Sequence, residues 1–177
     1  MTFEDLKVSE YLSLVGSKTS TPGGGSVLGL VLSLACSLDL MVVNFTLSKK
    51  GYENVQEEVL NLKEEIIKIN QEAQELMNLD SIKFNELMDA YRSKDEERIA
   101  YASIGAADVP YRLYKLTKSL EEISSRLCVI GNKNVTSDSS IAKDLCVSIY
   151  PGCIENIKAN IKAIKDEEVI TRLTSVF

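Results

Sequence analysis

An apolar run from Val27 to Phe45 constrains the fold more than any other part of the sequence. Its hydrophobic positions cover nearly the whole circumference of a helix, which is typical of burial at the centre of a fold or at a subunit interface. Asp39 interrupts the run, and a carboxylate at the centre of a bilayer costs about 2.5–3.5 kcal/mol. We therefore interpret residues 26–48, with Ser26 as the N-cap, as a core helix and not as a membrane span.

A heptad pattern extends along the segment from Glu53 to Tyr91, where apolar residues alternate at steps of four and three. This spacing predicts one long helix with a continuous apolar seam. Asp80 occupies the seam position after Leu76. An unpaired buried carboxylate is costly, so Asp80 must be paired with a lysine, hydrated or functional. The apolar seam comprises Val55, Val59, Leu62, Ile66, Ile69, Ala73 and Leu76.

Helical spacing dominates the rest of the chain, which has only three prolines and nine glycines. We predict one all-α domain over residues 1–177, a helical bundle with long antiparallel helices. Pro110 is expected to kink or divide the fourth helix, because proline removes a hydrogen-bond donor. The first helix is expected from Thr2 to Val15, and the fourth helix is expected to begin with a capping box at Ser93 and Glu96 and to end with a C-cap at Gly131. The fifth helix is expected to begin with an N-cap at Ser137 and to be interrupted at Pro151–Gly152. A last helix is expected from Ile154 to Ile164.

Charge and residue usage exclude several classes of function. The 177 residues include 20 Lys and Arg and 26 Asp and Glu, and the net charge of -6 argues against nucleic-acid or membrane partners. The absence of histidine excludes Ser-His-Asp and Cys-His catalysis and zinc sites that need imidazole. The four cysteines form no C-x-x-C pair, and the N-terminus has no signal-peptide pattern. We expect a cytoplasmic protein with reduced thiols.

Two loops rich in glycine or asparagine lead into predicted helices. In the first, Thr21–Ser26, glycines allow a ligand to approach the backbone, and the following helix start offers N–H groups to an anion. The second, Gly131–Asn134, precedes Ser137 and Asp138, and its amide side chains suit a polar heterocycle. From the residues alone, ordinary turn and capping chemistry is the favoured explanation of both loops.

Other polar residues have two interpretations each. Lys49 and Lys50 end the apolar helix, where they either complement the helix dipole or form a positive site for substrate carboxylates. Asp39 is interpreted as one member of a structural ion pair. Asn156 and Asn160 lie four residues apart and share a helical face, which indicates little by itself.

Taken in order along the chain, these features resemble the formiminotransferase-cyclodeaminase family, which includes cyclodeaminase domains and stand-alone methenyltetrahydrofolate cyclohydrolases. The resemblance covers almost the whole chain. It departs from the family pattern at Asn78, at Pro151, at Asp39 and after Met88, where Leu-Pro-Lys is missing. The matching residues are Pro22–Val27, Met41, Val42, Asn44, Thr46, Lys49, Lys50, Tyr52, Asp80, Phe84, Val109, Pro110, Gly131–Asn134, Ser137, Asp138, Ala142, Asn156 and Asn160.

The resemblance implies an all-helical homodimer with a folate cavity between helices, close to the subunit interface. It implies closure of 5-formiminotetrahydrofolate to 5,10-methenyltetrahydrofolate with release of ammonia. The alternative is hydrolysis of the methenyl form to 10-formyltetrahydrofolate. A tetrahydrofolate derivative is the substrate, and neither a metal nor a cofactor is expected.

Both reactions involve a methenyl carbon with delocalised positive charge, which a carboxylate stabilises. They also need groups that move protons. We expect Asp80 and Asp138 to be the catalytic carboxylates and Lys49 to transfer protons, all in a single pocket. The predicted substrate-binding residues are Pro22, Gly23, Gly24, Gly25, Ser26, Lys50, Asn132, Asn134, Ser137, Asn156 and Asn160.

Two alternative functions are not catalytic. The departures from the family pattern favour a non-catalytic helical binding or assembly protein on the same fold. The heptad seam, taken alone, suits a coiled-coil adaptor.

Overall fold

The computed structural model describes residues 2–177, which contain six α-helices, two short 3-10 turns and no strand. The 3-10 turns are Phe3–Asp5 and Glu53–Val55. The all-α prediction is confirmed for this part of the chain. The helices are α1 (Val8–Val15), α2 (Gly24–Thr46), α3 (Gln56–Ser93), α4 (Glu96–Ile130), α5 (Thr136–Ile161) and α6 (Glu167–Thr174).

Helix α2 packs against α3, α4 and α5. By length and hydropathy alone it is able to cross a membrane. One face, however, is completely buried against the other long helices, which supports its interpretation as a core helix. The opposite face is uncovered, with Leu34 51% exposed and Phe45 56% exposed. The fully buried residues of α2 include Leu32, Ala35, Cys36, Val42 and Val43.

The heptad seam of α3 packs where its spacing predicts. Val59, Ile66, Ala73 and Leu76 are completely buried in the main core. Helix α3 runs antiparallel to α2, because its Gln56 side chain donates to the Thr46 carbonyl while Asp80 accepts from the Ser26 backbone. The seam therefore forms one wall of a compact bundle.

The exact starts of four predicted elements are wrong. The N-cap of α4 is Asp95 and not Ser93: its carboxylate accepts from the amides of Glu97 and Arg98, while Ser93 is the last residue of α3 and donates to the Ala90 carbonyl. The reason is Lys94, whose left-handed φ of 56° ends α3 one residue before Asp95. Helix α2 begins at Gly24 and not after Ser26, and α5 begins at Thr136 and not after Ser137. The N-terminal segment forms a 3-10 turn first, and α1 begins only at Val8.

Neither Pro110 nor Pro151 divides its helix, since α4 and α5 continue through both residues, so the predicted divisions are wrong. A proline leaves the carbonyl four residues earlier without its helical donor. For Pro110 this is the Ala106 carbonyl, and the Asn160 side-chain amide from α5 approaches it at 3.4 Å. For Pro151 the corresponding carbonyl is that of Val147. This residue is 50% exposed, so water can donate a hydrogen bond to the carbonyl.

Asp39 is completely buried on the inner face of α2. It belongs to no ion pair among residues 2–177, so the ion-pair interpretation is wrong. Instead the Ser124 hydroxyl of α4 donates to its Oδ2 at 2.6 Å, and Oδ1 has no hydrogen-bond partner in the same range. Burial outweighs the Ser124 hydrogen bond, which opposes the shift, and raises the pKa of Asp39 to about 6.

The raised pKa makes stability depend on pH, and Asp39→Asn tests this. The folded protein holds the Asp39 proton more tightly than the unfolded chain, so the associated stability is lost as pH rises from about 4 through 6. Relative to the parent, Asp39→Asn should gain about 2–3 kcal/mol in free energy of unfolding between pH 4 and pH 8, at about 1.4 kcal/mol per pKa unit. Urea unfolding at both pH values measures it. A difference that does not change with pH would show that Asp39 is not the titrating group.

Helices α2 and α3 are in close contact at Gly25 and Gly29. A Cβ atom at Gly25 would overlap the Asp80 carboxylate, and one at Gly29 would lie 2.8 Å from Met77 Cγ. Neither position has room for a side chain without a shift of α3.

Gly25→Ala should therefore lower the free energy of unfolding by about 1–3 kcal/mol, because overpacking displaces Asp80 or the start of α2. Thermal unfolding measures the change. Gly24→Ala is the matched control, since a Cβ there meets nothing within 4 Å. Equal melting temperatures for the two variants would contradict the close approach.

Candidate functional site

A cavity of about 240 Å³ opens at the N-terminal end of α2. It lies where that end meets α3, α4 and α5. Residues predicted from three distant stretches of sequence line it: the glycine loop, Asp80 and the asparagine pair of α5. The lining residues are Ser20, Thr21, Gly23, Gly24, Gly25, Asp80, Phe84, Ala106, Asn156 and Asn160.

Asp80 is the charged group of this cavity. Its Oδ2 accepts from the Ser26 backbone amide at 3.0 Å, and it forms no ion pair among the described residues 2–177. Burial raises the pKa of Asp80, and the Ser26 hydrogen bond opposes that shift. The predicted lysine partner is therefore not present in the described chain. The result is a half-buried carboxylate that a cationic ligand group can approach.

The two asparagines of α5 differ in how many of their side-chain hydrogen-bonding groups are available to a ligand. Asn160 Nδ2 donates to the Asn156 carbonyl at 2.8 Å and approaches the Ala106 carbonyl. Asn160 therefore offers a donor to the carbonyl that Pro110 leaves without one in α4, and it also lines the cavity. The Asn156 side-chain amide makes no hydrogen bond within residues 2–177, so both its donor and its acceptor are available to a ligand.

Tyr11 supports this cavity, and the sequence analysis did not identify it. Its hydroxyl lies 2.8 Å from Ser26 Oγ, and the residue is only 4% exposed. The Phe3 ring packs edge-on against it, with the two ring centroids 5.7 Å apart. Tyr11 thus fixes Ser26, whose amide holds Asp80. It is the buried residue of the otherwise exposed α1, and nothing in the sequence marked it as a partner of Ser26.

Asn78, one of the departures from the family pattern, helps to dock the same N-terminal segment. Its Oδ1 accepts from the Phe3 backbone amide at 2.9 Å, and its Nδ2 donates to Glu4. An amide can both accept and donate here, which an ionised aspartate cannot do. The residue therefore has a structural role beside the cavity.

The remaining predicted site residues lie at the opposite end of α2. The Asn132 amide nitrogens bond to Thr46 and Phe45, in the last turn of that helix. Gly24 and Thr46 are 22 residues apart, which is about 33 Å along a helix. The expectation of a single pocket within one chain is therefore wrong, because the length of α2 separates the two groups. This second group comprises Lys49, Lys50, Asn132, Asn134, Ser137 and Asp138.

Within the second group, Asn132 is a structural clamp. It is 3% exposed, its Nδ2 donates to the Phe45 carbonyl at 2.9 Å, and its Oδ1 accepts from the Asn134 amide. The predicted contact of Asn132 with a pterin is not favoured by this geometry. Tyr52 joins the neighbouring loops, since its hydroxyl accepts from the Lys133 amide at 2.9 Å.

The charged members of the second group are available to a ligand. Lys49 is half-buried and Lys50 and Asn134 are exposed, and neither lysine forms an ion pair in the described part of the chain. The Asp138 carboxylate has no hydrogen-bond partner there either. By contrast, the lining of the Asp80 cavity contains no lysine or arginine. Residues 2–177 also hold no cluster of three or more His, Cys, Asp or Glu side chains placed to bind a metal.

Comparison with known proteins gives relatives of two kinds. The crystal structure of formiminotetrahydrofolate cyclodeaminase from Thermotoga maritima is 34% identical and superposes with a TM-score of 0.93, covering 98% of this chain and 87% of that one. Methenyltetrahydrofolate cyclohydrolase from Methylorubrum extorquens is 26% identical, over 90% of this chain and 81% of its own length. Formimidoyltransferase-cyclodeaminase from Gallus gallus is 25% identical over 94% of this chain, which spans only 32% of that longer protein.

The matched range extends along nearly the whole chain and spans the positions of both groups of site residues. The family model described as Formiminotransferase-cyclodeaminase matches residues 7–176. The chain therefore belongs to the formiminotransferase-cyclodeaminase family.

Proposed function

We propose that this chain is a folate one-carbon enzyme, a formimidoyltetrahydrofolate cyclodeaminase. It closes 5-formiminotetrahydrofolate to 5,10-methenyltetrahydrofolate and releases ammonia. The observation that carries the proposal is the half-buried Asp80 carboxylate, which has no basic partner in the described chain and lines a cavity with Asn156. The likeness to a cyclodeaminase of 34% identity, at a TM-score of 0.93, supports the choice of reaction.

The proposed chemistry uses the carboxylate as an electrostatic partner. N10 of the substrate attacks the formimino carbon, and a tetrahedral carbon then bridges N5 and N10. The formimino group reacts in its protonated, amidinium form. The proton lost from N10 goes to the departing nitrogen, which leaves as neutral ammonia, and the positive charge of the amidinium stays on the methenyl carbon, delocalised over N5 and N10. An ionised Asp80, held by the Ser26 amide, stabilises that charge without a competing cation beside it.

Hydrolysis of 5,10-methenyltetrahydrofolate to 10-formyltetrahydrofolate is the second candidate. It passes through the same kind of tetrahedral carbon, with water as the nucleophile. The similarity to a cyclohydrolase over 90% of this chain favours it. We propose that neither reaction needs a metal or cofactor, because each only transfers protons and exchanges nitrogen or oxygen substituents at a carbon whose oxidation state does not change.

One assay separates these candidates from a non-catalytic binding or assembly protein. The protein is incubated with each substrate while the methenyl chromophore is followed. Its appearance from the formimino substrate indicates a cyclodeaminase, and its loss from the methenyl substrate indicates a cyclohydrolase. No change with either substrate would support the non-catalytic alternative.

We also propose that the protein is a cytoplasmic homodimer. The uncovered apolar face of α2 supports the dimer, since exposed apolar patches of this kind mark interaction sites. The four cysteines are free, and three of them are buried, which suits a reducing compartment.

Asp80→Asn should reduce turnover at least about 100-fold, because an amide cannot stabilise a developing cation as a carboxylate does. The parent rate should rise with pH as Asp80 ionises, and the variant should lose that dependence. Asp138→Asn is expected to slow the reaction too. Rates from the methenyl chromophore across pH, with circular dichroism to check folding, measure both. If both folded variants keep near-parental rates, the carboxylate assignment is wrong.

Tyr11→Phe should lower turnover several-fold and stability by about 1 kcal/mol, since the buried Ser26 hydroxyl loses its partner. Steady-state kinetics and urea unfolding measure the two effects. Tyr101→Phe is the matched control, because Tyr101 is 80% exposed. Turnover that stays at the parental value in Tyr11→Phe would remove Tyr11 from the support of the cavity.

A further inference from the structure

One stretch of α4 is basic and aromatic in an otherwise acidic chain. Residues 109–120 contain no acidic residue, whereas the whole chain has a net charge of -6. About three turns of helix that carry only positive charge attract anions locally, although the molecule as a whole is negative. The basic and aromatic residues of this stretch are Tyr111, Arg112, Tyr114, Lys115 and Lys118.

A cavity of about 490 Å³ opens along this stretch, between α4 and the segment that follows α6. Its volume lies within the range of roughly 300–1,000 Å³ that is typical of small-molecule sites. A neighbouring cavity of about 350 Å³ shares Tyr111, Lys115 and Ser119 with it and reaches Glu72 of α3. We call the larger cavity the α4 groove and define it by Tyr114, Lys115, Lys118, Ser119, Glu122 and Phe177.

The two lysines of the α4 groove are available to a ligand. Lys115 and Lys118 are exposed and lie on one helical face, and neither forms an ion pair within residues 2–177. Glu122 follows Lys118 at a spacing that allows a pair, yet the two do not pair in that range. Arg112, by contrast, is held by Glu72 at 2.8 Å. The groove therefore presents two unneutralised ammonium groups beside one carboxylate.

Aromatic rings supply much of the remaining lining. The Tyr114 ring packs on Tyr150, with the two centroids 4.7 Å apart. Phe177 is 54% exposed, and the Lys158 ammonium lies 5.6 Å from its centroid. Two cations already flank the Tyr111 ring, 5.0 and 5.8 Å from its centroid. The rings of Tyr114 and Phe177 therefore have the surface that a flat ligand ring could pack against.

The α4 groove is separate from the Asp80 cavity and from the exposed face of α2. It shares no lining residue with the Asp80 cavity, and Lys118 lies about 18 Å along α4 from Ala106. Helix α4 is diagonally across the bundle from α2, because each of the two packs mainly against α3 and α5. A second copy that covers α2 therefore leaves the groove open to solvent.

We propose that the α4 groove binds a nucleoside polyphosphate, a ligand that neither folate reaction uses. Lys115, Lys118 and the Ser119 hydroxyl donate to the phosphate oxygens. The base stacks against the aromatic lining, which tolerates any base because each one has a π face. Glu122 accepts from the ribose hydroxyls, as an acidic residue does in dinucleotide sites.

The combination of groups favours this ligand over two others. Inorganic phosphate contacts the lysines and leaves the aromatic lining and Glu122 without a partner. An acidic peptide places further carboxylates against Glu122, and like charges in contact oppose binding. A ribose instead offers hydroxyl donors to that carboxylate.

Calorimetric titration with ATP at low ionic strength tests the proposal without any folate. One ATP should bind per chain. Inorganic triphosphate and adenosine should each bind at least about tenfold more weakly, because charge and stacking each supply part of the affinity. Equal affinities for ATP and triphosphate would overturn the proposal, since the groove would then recognise charge alone. Absence of ATP binding would overturn it as well.

Two matched double variants locate the bound ATP. Lys115→Ala/Lys118→Ala should weaken ATP binding at least about tenfold, because two charge-assisted contacts are lost. Lys49→Ala/Lys50→Ala removes the same charge from another lysine pair and should leave the affinity unchanged, and circular dichroism checks that both variants fold. The reverse pattern would place ATP at the lysines after α2. That result, equal losses in both variants, or an unchanged affinity in Lys115→Ala/Lys118→Ala would overturn the proposal.

Substitution of the rings tests the stacking. Phe177→Ala and Tyr114→Leu should each weaken ATP binding several-fold and leave the affinity for triphosphate unchanged. Phe177 is 54% exposed, so its loss should not disturb the fold, and Tyr101→Ala, at an 80% exposed position, is the control. If neither groove variant narrows the difference between ATP and triphosphate, the base does not stack in the groove and the assignment to a nucleotide is wrong.

Discussion

Helix α2 is a 23-residue segment whose single acidic or basic side chain, Asp39, is buried, and it packs against the other three long helices. Its start is fixed by the contact of Gly25 with Asp80 and by the hydrogen bond between Ser26 and Tyr11. Its end is fixed by Thr46, which accepts from the Asn132 amide. The same packing that buries the helix therefore places polar groups at both of its ends, while its outer side stays apolar.

The fold could be predicted because its strongest signals are periodic. The apolar run and the heptad seam gave α2 and α3, and they marked Asp80 as an exception worth attention. The predicted divisions at Pro110 and Pro151 are wrong, because the Asn160 amide and solvent can satisfy the carbonyls that these prolines leave without a donor. Caps also misled where a left-handed residue such as Lys94 decided the boundary. Tyr11 could not have been found, since its hydrogen bond to Ser26 depends on tertiary packing.

The candidate site shows a different limit of sequence reasoning. Motif matching indicates which residues belong to a site and gives no information on which copy of the chain supplies them. The distance between Gly24 and Lys49 follows from helix rise alone, yet the hypothesis of one pocket ignored it. Asp80, Asn156 and the glycine loop do meet in one cavity. The lysines and Asp138 do not join them within the subunit, and Asn132 is occupied by the loops it holds together.

Asn160 links the shape of the cavity to the integrity of α4. Its amide both lines the cavity and approaches the carbonyl that Pro110 leaves open. Positions 110 and 160 are thus linked: with proline at 110, the Asn160 amide is the donor that approaches the Ala106 carbonyl, in addition to its hydrogen bond to the Asn156 carbonyl. A substitution at position 160 that changes how this wall of the cavity contacts a ligand therefore also changes the hydrogen bonding of a backbone carbonyl in the neighbouring helix α4.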